Sequence, residues 1–185
     1  MTESLNQTLL ELALDIAKST SHILVNERPT NMVFESKSTP VDLVTEMDKK
    51  AEQHIVERVK EVRPNDSFLG EEGMAVPPQN PSNVKWIIDP IDGTVNYFYN
   101  HPYWAVSIGI EIDGELQVGV VAAPMLHEIF YALKGQGAYI EHDGKKTKFI
   151  SDNEWNIFDK LYFLYYFLSL FVKSILSILF QEFVF

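Results

Sequence analysis

Asp89 and Asp92 stand three residues apart, separated by Pro90-Ile91 and followed at once by Gly93-Thr94. The preceding run Trp86-Ile87-Ile88 is apolar and β-branched, which predicts a strand buried on both faces. Pro90 has no N–H for a ladder and fixes its own φ, so the chain is expected to turn sharply there. Asp92-Gly93 is a second turn signal, and Thr94 suits the opening of a helix. Two carboxylates on a stiff turn, beside bare N–H groups of Gly93 and Thr94, suit a divalent cation together with a phosphate. Mg²⁺ takes hard oxygen ligands, often one or two carboxylates plus phosphate and water. A helix N-terminus offers the same phosphate free donors and a positive dipole. A lone Asp-Gly is usually only a turn, but a plain turn has no need of two acids behind a buried strand.

Other acids fall at comparable places. Ser67-Phe68-Leu69 reads as a short strand leading into Gly70-Glu71-Glu72-Gly73. Adjacent glutamates between glycines are commonly a solvated loop. This strand nevertheless ends in acid, as Ile87-Ile88-Asp89 does, and open α/β sheets gather ligands outside the carboxyl ends of their strands. Thr45 with Asp48 three residues on has the form of a capping box opening a second helix. Asp48 is therefore either a cap or a site acid. Lys37 and Asp42 are either site-lining or plain loop residues. His101 and His127 have no partner at metal-ligand spacing and read as surface or loop residues.

The string Asp89-Pro90-Ile91-Asp92-Gly93-Thr94, with Asn96-Tyr97 after it, resembles the signature of the inositol monophosphatase family. Lys37 to Thr45, Asp48, Phe68 to Glu72, Pro102 to Gly109, Gly119-Val120-Val121 and Ala123-Pro124 agree in order and spacing, so the resemblance covers about residues 5 to 140. It implies a Mg²⁺-dependent phosphomonoesterase that hydrolyses inositol monophosphate with an activated water. It also implies metal ligands Glu71, Asp89, the carbonyl of Ile91, and Asp92, with Glu72 in support. Asp48 and Thr94 would orient the water, with Glu71 counted among the catalytic groups. Ile91, Asp92, Gly93 and Thr94 would meet the substrate. A homodimer is implied too. The family carries a further Trp-Asp-Ala-Ala-Gly-like segment for a second metal, and no such segment follows Asp92. A related phosphatase of nucleotide or sugar bisphosphates shares the signature, and a non-catalytic, membrane-associated or dimerising fragment is the alternative from another class.

These residues need elements to hold them. Leu5, Leu9, Leu12, Ile16 and Ile23 recur at helical spacing and predict a helix over residues 4 to 25. The second helix should bury Ala51, Ile55, Val59 and Val62. Val33-Phe34 is expected to open a strand and Val95 to Tyr99 a short helix, with further strands expected over 104–112, 116–123, 129–133 and 137–140. Asp113-Gly114 and Asp143-Gly144 are hairpin signals. The expected fold class is α/β: the layered α-β-α-β-α sandwich of the inositol monophosphatase and fructose bisphosphatase type, truncated, with a mostly antiparallel sheet.

The totals narrow the partners. With 15 Lys and Arg against 26 Asp and Glu, the net charge of −11 argues against nucleic acid and requires a cation between this chain and a phosphate ester. The absence of cysteine removes disulfides and thiolate metal sites. No basic-then-apolar leader opens the chain, so a cytoplasmic location is expected. Residues 1–150 read as the phosphatase part and residues 151–185 as an atypical hydrophobic tail. Within the tail, 161–180 is long enough to span a bilayer, with Lys173 its only charge. A membrane anchor, a buried helix and translated non-coding sequence all remain open there.

Overall fold

The computed structural model describes residues 2–31, 34–36, 43–73 and 78–150. Lys37, Asp42 and the whole 151–185 tail lie outside the described residues. In chain order the elements are α1 (Thr2–Asn26), β1 (Phe34–Ser36), β2 (Leu43–Thr45), α2 (Glu46–Val62), β3 (Ser67–Gly70), β4 (Val84–Asp92) and α3 (Thr94–Phe98). There follow β5 (Ala105–Ile112), β6 (Glu115–Ala123), a 3-10 turn at Pro124–Leu126, β7 (Glu128–Leu133), β8 (Gly137–His142) and β9 (Lys145–Ile150). Strands β3 to β9 form one seven-stranded sheet in sequence order, and β1 pairs with β2 apart from it. Among the described residues only the β3–β4 pairing is parallel; every later pairing is antiparallel.

Local chemistry explains the meander. Asp113 (φ 54°) and Gly114 (φ 81°) both take positive φ, as do Asp143 (φ 48°) and Gly144 (φ 77°). Two successive positive-φ residues match the right-handed twist of flanking strands, and Asp-Gly adopts them at low cost. The alternation of the strands then puts Trp86, Ile110, Val118 and Leu133 in register on one face. Helices α1 and α2 pack together on that face, with α1 over β5 and β6 and α2 over β4. Leu9, Ile16, Ile55, Val59, Trp86, Ile108 and Ile110 are all buried between these layers, each contributing about 2 kcal/mol. Ile87, Val121, Phe130 and Ile140 share the opposite face and are only half-buried.

Three expectations change. β4 is not buried on both faces: burial alternates from Val84 to Asp89 and becomes continuous only from Pro90 to Asp92. Pro90 does not end the strand either. The ladder to β5 skips from Asp89 to Asp92 through a bulge, and the residue without an N–H sits in the gap, where no donor is required. Val62, the last residue of α2, is 63% exposed, and Val56 is buried instead.

The start of β4 is held by a buried acid. Asp66, 1% exposed, accepts from Trp86 Nε1 (3.0 Å), Ser82 Oγ (2.7 Å) and both Nε and an Nη of Arg63 (2.8 and 3.0 Å). This knot fixes where β4 begins, and the parallel register of β3 with β4 then fixes where both strands end.

Candidate metal and phosphate site

Because β3 and β4 run parallel, with Gly70 opposite Ile88, their carboxyl ends open on the same side. Glu71 is the first residue past β3, and its N–H donates to Ile88 O at 3.2 Å. Asp89 follows Ile88 directly, and the bulge turns Asp92 back toward the same end. Two strand termini therefore bring Glu71, Asp89 and Asp92 together, as the sequence suggested.

The electrostatics record this crowding. Burial, followed by the charges of Glu71 and Asp92 and a hydrogen bond with Glu71, pushes the Asp89 carboxyl up to about 9. Burial and then Glu71 push Asp92 up to about 8. Among the described residues, Oδ1 of Asp89 and Oδ2 of Asp92 are buried without a hydrogen-bond partner. Unsatisfied carboxylate oxygens are costly inside a protein, and like charges so close cannot all ionise alone.

A hard cation relieves both problems, so the donor set fits Mg²⁺. Among the described residues, no group of three His, Cys, Asp or Glu side chains is arranged to hold a metal by itself. Glu71 is engaged with Asp89. A bound Mg²⁺ would draw its remaining oxygens from the Ile91 carbonyl, water or a phosphate, the mixed coordination that this ion prefers.

Thr94 and Asp48 form the other wall. Thr94 Oγ1 lies 3.0 Å from both Asp48 Oδ1 and Ile91 O, and its one proton serves these two acceptors. Asp48, 1% exposed, also accepts from Thr45 N–H at 2.8 Å and Thr45 Oγ1 at 2.5 Å. The capping-box reading of Asp48 is met through Oδ2, while Oδ1 accepts from Thr94 at the β4–α3 corner. Burial raises its pKa, with the threonine bonds opposing.

The corner itself depends on Gly93. Its φ of 88° is left-handed, and a Cβ there would meet Tyr103 O at 2.9 Å. Gly93, rather than Thr94, is the cap of α3, and Thr94 is the first helical residue. α3 has only five residues, so its dipole is small; its first-turn N–H groups have no partner within the helix itself. Asn96 Nδ2 donates to Tyr103 O at 2.6 Å, and Tyr97 OH donates to Leu24 O at 2.8 Å. Arg28 donates to the carbonyls of Tyr97 and Phe98, fastening α3 to the end of α1. His101 and His127 are exposed, as expected.

Sequence reasoning missed Arg28, Asp66 and Glu52. Glu52 is completely buried, four residues after Asp48. An acid inside the apolar stripe of Ala51, Ile55 and Val59 was the signal that could have found it.

Comparison with known proteins bears on family and fold. The model of the inositol monophosphatase family matches residues 5–163, running past residue 150. Human inositol monophosphatase 1 is 36% identical over 135 residues, covering 72% of this chain and 49% of that protein. The Thermotoga maritima IMPase structure superposes with a TM-score of 0.66 at 32% identity, covering 75% of this chain and 52% of that one. The structure of an IMPase/NADP phosphatase complexed with Mg²⁺ and phosphate superposes with a TM-score of 0.64 at 24% identity, over 73% and 51%, a likeness of fold. The chain spans about half the length of the relatives it matches.

Proposed function

This chain belongs to the inositol monophosphatase family, and from that membership we propose that it serves Mg²⁺-dependent hydrolysis of a phosphate monoester, inositol monophosphate first among candidates. The observation that carries the proposal is the pair of buried, partnerless oxygens on Asp89 and Asp92 at the shared ends of β3 and β4. A structural acid would have been given donors.

Asp89, Asp92 and the Ile91 carbonyl would hold the cation, with the carboxylate of Glu71 beside them as a further ligand. When bound, Mg²⁺ supplies positive charge to the phosphate oxygens and lowers the pKa of a water. The N–H groups of Gly93 and Thr94 receive phosphate oxygens. Thr94 and Asp48 orient the attacking water and take its proton. The water oxygen forms the new bond to phosphorus, the ester P–O bond breaks, and the departing alkoxide is protonated from solvent. Pre-placed donors and acceptors of this kind act by electrostatic stabilisation rather than by a covalent intermediate.

The test is phosphate release by the full chain from inositol 1-phosphate, fructose 1,6-bisphosphate and a 2′-phosphorylated nucleotide, each with Mg²⁺ and with EDTA. Mg²⁺-dependent release favouring inositol 1-phosphate is expected. Selective release from the nucleotide would move the assignment to that branch. No release, with no Mg²⁺-dependent rise in Tm, would reject the proposal.

A further inference from the structure

Helix α2 presents two buried carboxylates one turn apart, Asp48 and Glu52, and residues at i and i+4 share a helix face. Each grips a different loop of the site. Asp48 Oδ1 accepts from Thr94 at the β4–α3 corner. Glu52 Oε2 accepts the N–H of Glu72 at 2.7 Å, just past β3. Glu52 lies so close to the strand end that a Cβ on Gly70 would stand 2.4 Å from its Cδ. Glu71 therefore sits between two pins: its own N–H on Ile88 O, and its neighbour's N–H on Glu52.

We propose that Glu52 is a positioning residue for the metal site, holding the Glu71 backbone so that its carboxylate faces Asp89, while never touching the cation itself. The inference rests on the metal-site reading above. One rigid helix thereby sets the spacing between the β3 loop, which carries Glu71, and the β4 corner, which carries Asp89, Asp92 and Thr94. Gly70 follows from the same arrangement, since any side chain there displaces the Glu52 carboxylate.

The experiment is a Mn²⁺ titration of the full chain, free Mn²⁺ being read by its EPR signal, with Tm measured in EDTA. Mn²⁺ prefers the same oxygen ligands as Mg²⁺. Glu52→Ala should weaken Mn²⁺ binding about tenfold or more, the scale at which outer-shell partners act. Glu52→Gln keeps an acceptor for Glu72 N–H and should stay within about threefold of wild type, since a retained hydrogen bond loses little. Val59→Ala, on the same buried face farther along α2, should lower Tm and leave Mn²⁺ affinity unchanged. Should Glu52→Ala fail to fold, Gly70→Ala applies the same displacement from the strand side, with the same expected loss. Wild-type affinity in Glu52→Ala, or in its substitute Gly70→Ala, overturns the proposal, as does an equal loss in Val59→Ala. A wild-type chain that binds no Mn²⁺ removes the metal site itself, a result distinct from loss in the variants alone.

Discussion

The two ends of β4 make a controlled comparison, because each carries a buried acid and they differ in what surrounds it. At the start, Asp66 receives four hydrogen bonds, from Trp86, Ser82 and both arms of Arg63. At the finish, Asp89 and Asp92 each retain a buried oxygen with no donor among the described residues, and the charges that act on them are those of other acids. The first arrangement is complete within the chain. The second leaves oxygens unsatisfied among the described residues, and the proposed cation would complete it. Saturation separates an acid that holds the fold from an acid that waits for a ligand, and burial alone does not.

The sharpest way to break this contrast is Asp89→Asn. Activity should fall to the metal-free background, because the variant removes a ligand charge. Tm in EDTA should hold or rise, since the amide is neutral without the proton that burial and the acids beside it force Asp89 to take up. Circular dichroism melts beside phosphate-release assays check both parts, and retained Mg²⁺-dependent turnover would refute the ligand assignment. Asp66→Ala should do the reverse. Stranding Arg63 and Trp86 without their acceptor should cost about 3–5 kcal/mol, the range for breaking a buried ion pair. Urea melts measure it, and a loss under about 1 kcal/mol would show that the four bonds carry little net stability.

A third expectation concerns pH. Asp89 and Asp92 have folded-state values raised to about 9 and about 8, against about 3.9 for a free aspartate. The folded, metal-free protein thus holds protons that the unfolded chain releases. Its stability from these groups is complete below about pH 4 and is lost as pH rises through 8 and 9. Mg²⁺ replaces those protons, so the gap in Tm between Mg²⁺ and EDTA should be wider at pH 8 than at pH 5. At a hundredfold excess over Kd the cation should add about 2.7 kcal/mol. A gap independent of pH would mean that these acids do not face the cation.

Much of this was legible in the sequence, for identifiable reasons. Helical periodicity located α1 and α2, and Asp-Gly pairs located two hairpins, because both signals are local. The carboxyl ends of β3 and β4 could be matched because acids followed two apolar runs. What escaped notice depended on register. Pro90 reads as a strand terminator until a bulge accommodates it. Val62 keeps the period of α2 but is its last residue and stays exposed. Asp66 and Trp86 are 20 positions apart, and only parallel pairing reveals them as partners. Glu52 looked like an ordinary helix acid, because what it supports is a backbone N–H with no sequence signature. Among the described residues no helix is long and apolar enough to cross a membrane, and the tail that raised that question lies outside them.

The finest test removes a single hydroxyl from each end. Ser82→Ala takes one donor from Asp66 and one acceptor from Val84 N–H, leaving Asp66 three other bonds. It should cost about 1 kcal/mol, the net value of a typical hydrogen bond, and leave turnover unchanged. Thr94→Val, nearly the same shape, takes the hydroxyl that Asp48 Oδ1 and Ile91 O share. Its effect on Tm should be as small, because Thr45 still serves Asp48 through Oδ2. Turnover should nevertheless drop by about 10²-fold or more, the scale of losing a positioned proton-transfer group. If the two substitutions prove alike in both assays, then Thr94 is one more brace like Ser82, and the functional end of β4 reduces to its acids alone.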